Sequence, residues 1–240
     1  MIRLILTVLF IALFLIISIP VQLVFWILML IPGLRIHIRK LSLRIVGTAF
    51  KVVWLIAGVK LTVKGEENIP KDEAVLFVAN HRSYYDIVIL YSQMKRLTGF
   101  IAKKEILAVP VLNVWMWFLY CLFLDRKDIR KGMEMIENAV KNVGEGVSYV
   151  IFPEGTRNTT DEMLLPFHKG SFKIAQRAGC GIVPVSLKNT REIYEAHPFS
   201  VRGTEVILEY GKPVYYSELT RDEQRHIDDH VRDRILEMYA

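Results

Sequence analysis

The pattern of hydrophobic and polar positions divides the chain near residue 65. No residue from Leu4 to Leu34 is charged. As one helix, Leu4 to Ile31 reaches about 42 Å, against roughly 30 Å for the hydrocarbon core of a bilayer. Pro20 interrupts the run, with Ser18 and Gln22 beside it. A kinked, tilted span and two short apolar helices dipping into one leaflet both fit. A secretory signal peptide fits worse, because the run is about twice the usual length and no small-residue cleavage site follows it. Leu41 to Val59, preceded or punctuated by Arg35, Arg39, Lys40, Arg44 and Lys51, reads as an amphipathic helix on the membrane interface.

Past Gly65, short β-rich runs alternate with helical ones, as in an α/β sheet with crossover helices. Strands are expected near Ala74–Ala79, Phe100–Ala102, Cys121–Leu124, Ser148–Phe152, Ile182–Leu187 and Glu205–Tyr210. Met133, Ile136, Val140 and Val143 repeat at helical spacing up to Gly144, and Phe172, Ile174, Ala175 and Ala178 do so up to Gly179. Ser217 or Thr220 is placed to cap a last helix that buries Ile227, Val231, Ile235 and Met238. The expected fold is α/β: a mixed central sheet flanked by helices, with an N-terminal hydrophobic helical membrane anchor. Residues 1–64 would form the anchor and interfacial segment, and 65–240 the α/β domain.

Charge adds a location. Of 31 Lys and Arg residues, eight precede Glu66, where there is no acidic residue at all; the remaining 23 face all 25 Asp and Glu. The basic character thus belongs to the N-terminus, which suits an anionic membrane and no nucleic acid. By the positive-inside tendency the bulk of the protein is cytoplasmic, and a short single-domain chain suits a bacterial inner membrane. Cys121 and Cys180 lack metal-ligand or disulfide-framework spacing, which fits a reducing compartment.

The candidate chemistry sits at strand ends. The run Ala74–Ala79 leads directly into Asn80-His81-Arg82-Ser83-Tyr84-Tyr85-Asp86, so His81 occupies a turn where open α/β sheets place ligands. Five residues apart on one helix, His81 and Asp86 would diverge by about 140°; they meet only if His81 precedes a helix whose first turn holds Asp86. An imidazole of ordinary pKa, about 6.5, can take the proton of an attacking alcohol near neutral pH, with a carboxylate fixing its tautomer. Ser83 to Asp86 equally matches a Ser-x-x-Asp capping box, a purely structural role.

A second junction, Pro153-Glu154-Gly155-Thr156-Arg157, combines a glycine that allows close backbone approach with a guanidinium fork suited to phosphate. A third, Leu122-Phe123-Leu124-Asp125-Arg126, adds another cation, although an Asp-Arg pair is often a surface ion pair. All three fall at corresponding ends of successive strands and would converge on one crevice. His226 and His230 lie four apart among charged residues and read as a solvated helix face, so no metal site is expected. Cys180 between two glycines reads as a buried thiol, and no Gly-x-Ser-x-Gly elbow offers a covalent serine route. The aromatic stretch Ile106 to Phe123 reads as core, with an acyl groove as the alternative.

Taken in order, Asn-His-x4-Asp, Leu-Phe-Leu-Asp-Arg, Phe-Pro-Glu-Gly-Thr-Arg and Ile182-Val183-Pro184-Val185 resemble the four blocks of the 1-acyl-sn-glycerol-3-phosphate acyltransferases. Ala102-Lys103-Lys104-Glu105 and Pro166-Phe167-His168-Lys169-Gly170 resemble family sequence between the blocks, and the likeness covers roughly residues 60 to 215. One position departs: six residues before Arg126 the family usually has glycine, and here stands Tyr120.

The resemblance implies that His81 is the general base with Asp86 as its partner. It also implies that Arg126, Glu154, Gly155 and Arg157, with Thr156 in the same run, hold the glycerol-phosphate acceptor, and that Pro184 shapes the acyl or acceptor site. Lys103, Lys104 and Lys169 add positive charge beyond what one lysolipid phosphate needs, consistent with a donor also held nearby. The implied reaction moves an acyl group from acyl-CoA or acyl carrier protein to the sn-2 hydroxyl of lysophosphatidic acid, giving phosphatidic acid. It requires no cofactor beyond the co-substrate, and the membrane phospholipid is its setting. Another lysolipid acceptor, a non-catalytic lipid-binding role and hydrolysis of the same esters are the alternatives.

Overall fold

The computed structural model describes residues 1–239. Its core is a seven-stranded sheet: β1 (Lys60–Lys64), β2 (Leu76–Ala79), β3 (Thr98–Lys103), β4 (Leu122–Leu124), β5 (Ser148–Ile151), β6 (Ile182–Lys188) and β7 (Glu205–Tyr210), in the order β1-β7-β6-β2-β5-β3-β4. From β6 to β4 every neighbouring pair is parallel; β7 runs antiparallel to β6 and carries β1 parallel to itself at the edge. The sheet is therefore mixed, as expected. Its central strands, β2 and β5, are buried at every residue, which is why they read as continuous apolar runs rather than alternating ones.

Six strands lie within a few residues of their expected positions, and β1 is additional. Lys60-Leu61-Thr62-Val63-Lys64 alternates exposed and half-buried positions along the sheet edge, a pattern too short and polar to separate from the preceding helix in sequence. β1 pairs with β7, so the sheet begins at Lys60, on the N-terminal side of the division expected after residue 64.

Helices α3 (Tyr84–Ser92), α4 (Leu112–Phe118), α5 (Ile129–Gly144), α6 (Lys173–Ala178), α7 (Arg221–Arg225) and α8 (Ile227–Tyr239) connect and flank the strands. The expected stops hold, α5 ending at Gly144 and α6 at Gly179, whose φ of +67° is a left-handed cap. Thr220 caps α7 through a capping box with Glu223. The expected single last helix is broken at His226, and Ile227, Val231 and Ile235 of α8 are buried.

The N-terminal run forms one helix, α1 (Ile2–Leu28), that continues through Pro20; after a short turn α2 (Arg35–Ala57) follows. Of the two arrangements open in sequence, the two short helices are not adopted. The polarity of α1 is inverted: its buried residues are Thr7, Ser18, Gln22 and Phe25, while Ile2, Leu9, Ile16, Leu23 and Ile27 are exposed. The polar minority faces the protein, where each group needs a partner. Ser18 Oγ accepts a hydrogen bond from Trp115 Nε1 at 3.0 Å, and Gln22 Nε2 donates to Val111 O at 2.9 Å. Both ends of α1 contact the α/β unit. Trp26 stacks on Trp117 with centroids 4.5 Å apart, and the Arg3 guanidinium lies so close to Gly58 and Gly203 that a Cβ on either would meet it within 3 Å.

The aromatic stretch divides. Trp115 and Phe118 are core, whereas Trp117 is 42 % exposed beside α1. Arg39 of α2 donates to the Trp117 and Phe118 carbonyls at the end of α4 and lies 3.8 Å from the Tyr120 ring centroid. Tyr120 has φ +59°, the left-handed conformation that favours glycine. A Cβ at Gly99 would meet Tyr120 O at 2.5 Å, so the two backbones approach closely here. The departure from the family's glycine thus places a ring against Arg39 and α2.

Replacing Ser18 by Ala leaves the buried Trp115 N–H without its acceptor, a loss of about 1–3 kcal/mol. Thermal unfolding in detergent micelles should show Tm lowered by several degrees, and an unchanged Tm would show that this contact contributes nothing to anchoring α1.

Candidate active site

The parallel strands β2, β3, β4 and β5 point their carboxyl ends the same way, and the turns that follow them meet. After Ala79 the main chain leaves β2, and Ser83 begins α3 with an extended backbone suited to an N-cap. Asp86 is fully buried in the first turn of α3. Its Oδ2 accepts from Arg82 N at 2.6 Å and Ser83 N at 2.7 Å and lies 2.9 Å from His81 Nδ1. The capping box and the His-Asp contact are therefore both present, made by one oxygen. With a carboxylate as its partner, Nδ1 carries the proton and Nε2 keeps the lone pair. The His81 side chain is 13 % exposed. Its ring stacks on Phe152 with centroids 4.1 Å apart and planes 19° from parallel.

Glu154, at the turn after β5, fixes the main chain under this ring. Its Oε1 accepts from His81 N at 2.7 Å and its Oε2 from Leu165 N at 2.9 Å. Burial pushes its carboxyl pKa up, and these two amide bonds pull the other way. Asn158 N donates to His81 O at 2.7 Å. Both backbone polar groups of His81 are thus held by the turn of the neighbouring strand.

Gly155 has φ +70°, and an added Cβ would lie 3.1 Å from His168 Cδ2 and 3.3 Å from Arg126 Nη2. Arg126, arriving from the end of β4, donates to the Gly155 carbonyl. The guanidinium of Arg157 lies 3.7 Å from the Tyr84 ring centroid and 3.4 Å from Glu195 Oε1, which also accepts from Tyr84 N. His81, Asp86, Arg126, Glu154, Gly155 and Arg157 are brought together as expected, with Thr156 exposed beside them.

Other expected members are placed differently. Lys103 ends β3 and is exposed; Lys104 is engaged by Asp125 at 2.7 Å, a hydrogen bond that raises the lysine pKa and lowers that of the carboxyl. Lys169 reaches away to the Arg225 carbonyl at 3.0 Å and to Asp228 at 3.8 Å. Pro184 is buried inside β6 opposite Val78, three residues and about 10 Å of strand below Leu187 at the crevice level. The sequence order of the blocks carried no information on depth in the sheet or on side-chain direction.

His168 and Glu195 were missed. The family-like run around His168 was a usable sequence signal; Glu195, past the short 3₁₀ turn that follows β6, had none. Among the described residues no cluster fit for a metal ion occurs. Burial pushes the Cys121 thiol up to about 12 and Cys180 up to about 11, so neither offers a thiolate nucleophile.

A His-Asp pair and two flanking cations thus stand at the carboxyl edge of a mixed α/β sheet. The chain belongs to the acyltransferase family, whose characteristic domain it matches over residues 60–188. A relative from Borreliella burgdorferi, named 1-acyl-sn-glycerol-3-phosphate acyltransferase, is 30 % identical over 82 % of this chain and 78 % of its own length. One of the same name from Saccharomyces cerevisiae is 32 % identical over 78 % of this chain and 62 % of its own. The crystal structure of the 1-acyl-sn-glycerophosphate acyltransferase PlsC from Thermotoga maritima superposes with a TM-score of 0.71 at 26 % identity, covering 98 % of both chains.

Gly155→Ala would combine a left-handed strain of about 1 kcal/mol with crowding of His168 and Arg126. We expect acyl transfer to fall about tenfold or more with Tm lowered only slightly, the two measured on one preparation. Unchanged transfer would show that backbone approach at Gly155 is not required.

Proposed function

We propose that this acyltransferase acylates the sn-2 hydroxyl of lysophosphatidic acid from an acyl thioester, acyl-CoA or acyl carrier protein, to give phosphatidic acid. The observation that carries the reading is the His81-Asp86 pair, fixed at the carboxyl edge of the sheet beside Arg126 and Arg157. Relatives named for this acceptor support the choice of substrate.

In the proposed mechanism His81 Nε2 takes the hydroxyl proton as the acceptor oxygen attacks the thioester carbonyl. The C–O bond forms, the tetrahedral oxyanion collapses, the C–S bond breaks, and the imidazolium returns its proton to the leaving thiolate. Asp86 holds the tautomer and stabilises the imidazolium. No acyl-enzyme is needed and no cofactor takes part. Arg126 and Arg157, with Lys103 at the rim, are the cations proposed for the acceptor and donor phosphates. General-base assistance contributes about 10²- to 10⁴-fold, with positioning and electrostatics supplying the rest.

The setting is the membrane. The α1 helix turns its apolar face outward, and only 11 % of its most apolar stretch is buried. Since both its ends touch the α/β unit, a helix lying within one leaflet fits better than a span. The exposed basic residues Arg35, Lys40, Arg44 and Lys51 of α2 suit an anionic surface. We place the domain on the cytoplasmic face of a bacterial inner membrane.

The test is acyl transfer in liposomes from labelled acyl-CoA and, separately, labelled acyl carrier protein, comparing wild type with folded His81→Ala. Phosphatidic acid should form with wild type and fall at least about 100-fold in the variant. Transfer only to a different lysolipid would replace the acceptor. Fatty acid released without acceptor would indicate a hydrolase, and equal rates in both proteins would remove His81 from the mechanism.

A further inference from the structure

The hydrogen bonds of Asn80 account for how the chain can leave β2 and still hold His81. The last main-chain partners of β2 and β6 are Ala79 and Val185. Beyond them, the fully buried Asn80 side chain takes over. Its Oδ1 accepts from Leu187 N at 2.7 Å, and its Nδ2 donates to Leu187 O at 3.0 Å. A side-chain amide thereby pairs with both backbone groups of Leu187, as a neighbouring strand would. The main chain of the next residue is released to Glu154 and Asn158.

One more group closes the arrangement. Tyr239, in the last turn of α8 and 159 residues away in sequence, accepts from Asn80 Nδ2 at 2.8 Å, and its hydroxyl donates to Leu187 O at 2.7 Å. Burial pushes its phenol well above the usual tyrosine range, so it stays a donor at any working pH. Lys188 Nζ lies 5.6 Å from its ring centroid, and Asp86, Arg82 and Glu154 are the other charges that act on it.

We infer that Asn80 and Tyr239 are positioning residues for His81: Tyr239 fixes the Asn80 carboxamide on Leu187, and Asn80 fixes the point at which the chain turns into the histidine. This rests on His81 being the base. Neither side chain needs to touch substrate. The consequence of losing either is a misplaced imidazole, which slows turnover rather than acceptor binding.

The test uses full-length Tyr239→Phe, Asn80→Ala and the double variant in liposomes, with whichever thioester donor supports wild-type turnover, and His81→Ala alongside. Tyr239→Phe keeps the ring and should lower kcat about 3- to 10-fold with KM for lysophosphatidic acid within about twofold, as expected for a small misplacement of a reacting group. Asn80→Ala should lower kcat further, and adding Tyr239→Phe to it should change nothing more, because the tyrosine acts through the asparagine. A merely structural role would lower Tm and leave kcat per folded molecule unchanged. The inference is overturned by wild-type kcat in folded Tyr239→Phe, by a loss confined to KM, or by losses that multiply in the double variant. Should Asn80→Ala not fold, the kcat–KM split of Tyr239→Phe decides alone. An active His81→Ala would instead overturn the general-base reading, whereas an inactive one beside a fully active Tyr239→Phe removes only the positioning role.

Discussion

Oδ2 of Asp86 accepts three donors at once: two backbone amides at the start of α3 and the Nδ1 proton of His81. A fully buried carboxylate is costly unless such partners replace its hydration. Here the helix start supplies two of them, together with the favourable end of the helix dipole. The same contacts that begin the helix therefore keep the anion in place for the imidazole. Stability and chemistry are joined in one group, so the turn cannot relax locally without releasing both.

Around that pair the neighbouring strands act as a frame. Glu154 ties the His81 amide to the loop before Leu165, Asn158 ties its carbonyl, and Phe152 covers one face of the ring. Each tie comes from the turn after β5, the strand beside β2. Parallel pairing is what brings these turns to one edge, since it aligns carboxyl ends. Arg126 reaches the same edge from β4 and donates to the carbonyl of Gly155, whose positive φ and tight contacts with His168 and Arg126 disfavour a side chain.

The anchor follows an inverted version of ordinary helix packing. A soluble helix buries its apolar stripe, while α1 buries Thr7, Ser18 and Gln22 and exposes leucine and isoleucine. In lipid the apolar face needs no protein partner, but each polar side chain does. Trp115 and the Val111 carbonyl provide two of those partners, which orients α1 on α4. Arg39 then links α2 to the end of α4.

The sequence by itself determined the elements whose signals are local. Central strands were legible as apolar runs because they are buried on both faces, the stop of α6 because Gly179 takes the left-handed cap, and the junctions after β2, β4 and β5 because ordered motifs sat on strand ends. The alternation of β1 was too short to detect, for an edge strand half in water has no apolar run. Tertiary structure alone decided what depends on direction and distance: that Lys169 turns to α8, that Pro184 lies deep in the sheet, and that Glu195 reaches Arg157. It also decided that Tyr239 meets Asn80, a contact between residues 159 apart. Such contacts form only when the sheet closes, because local periodicity records which face of an element is buried but not which residue lies opposite it.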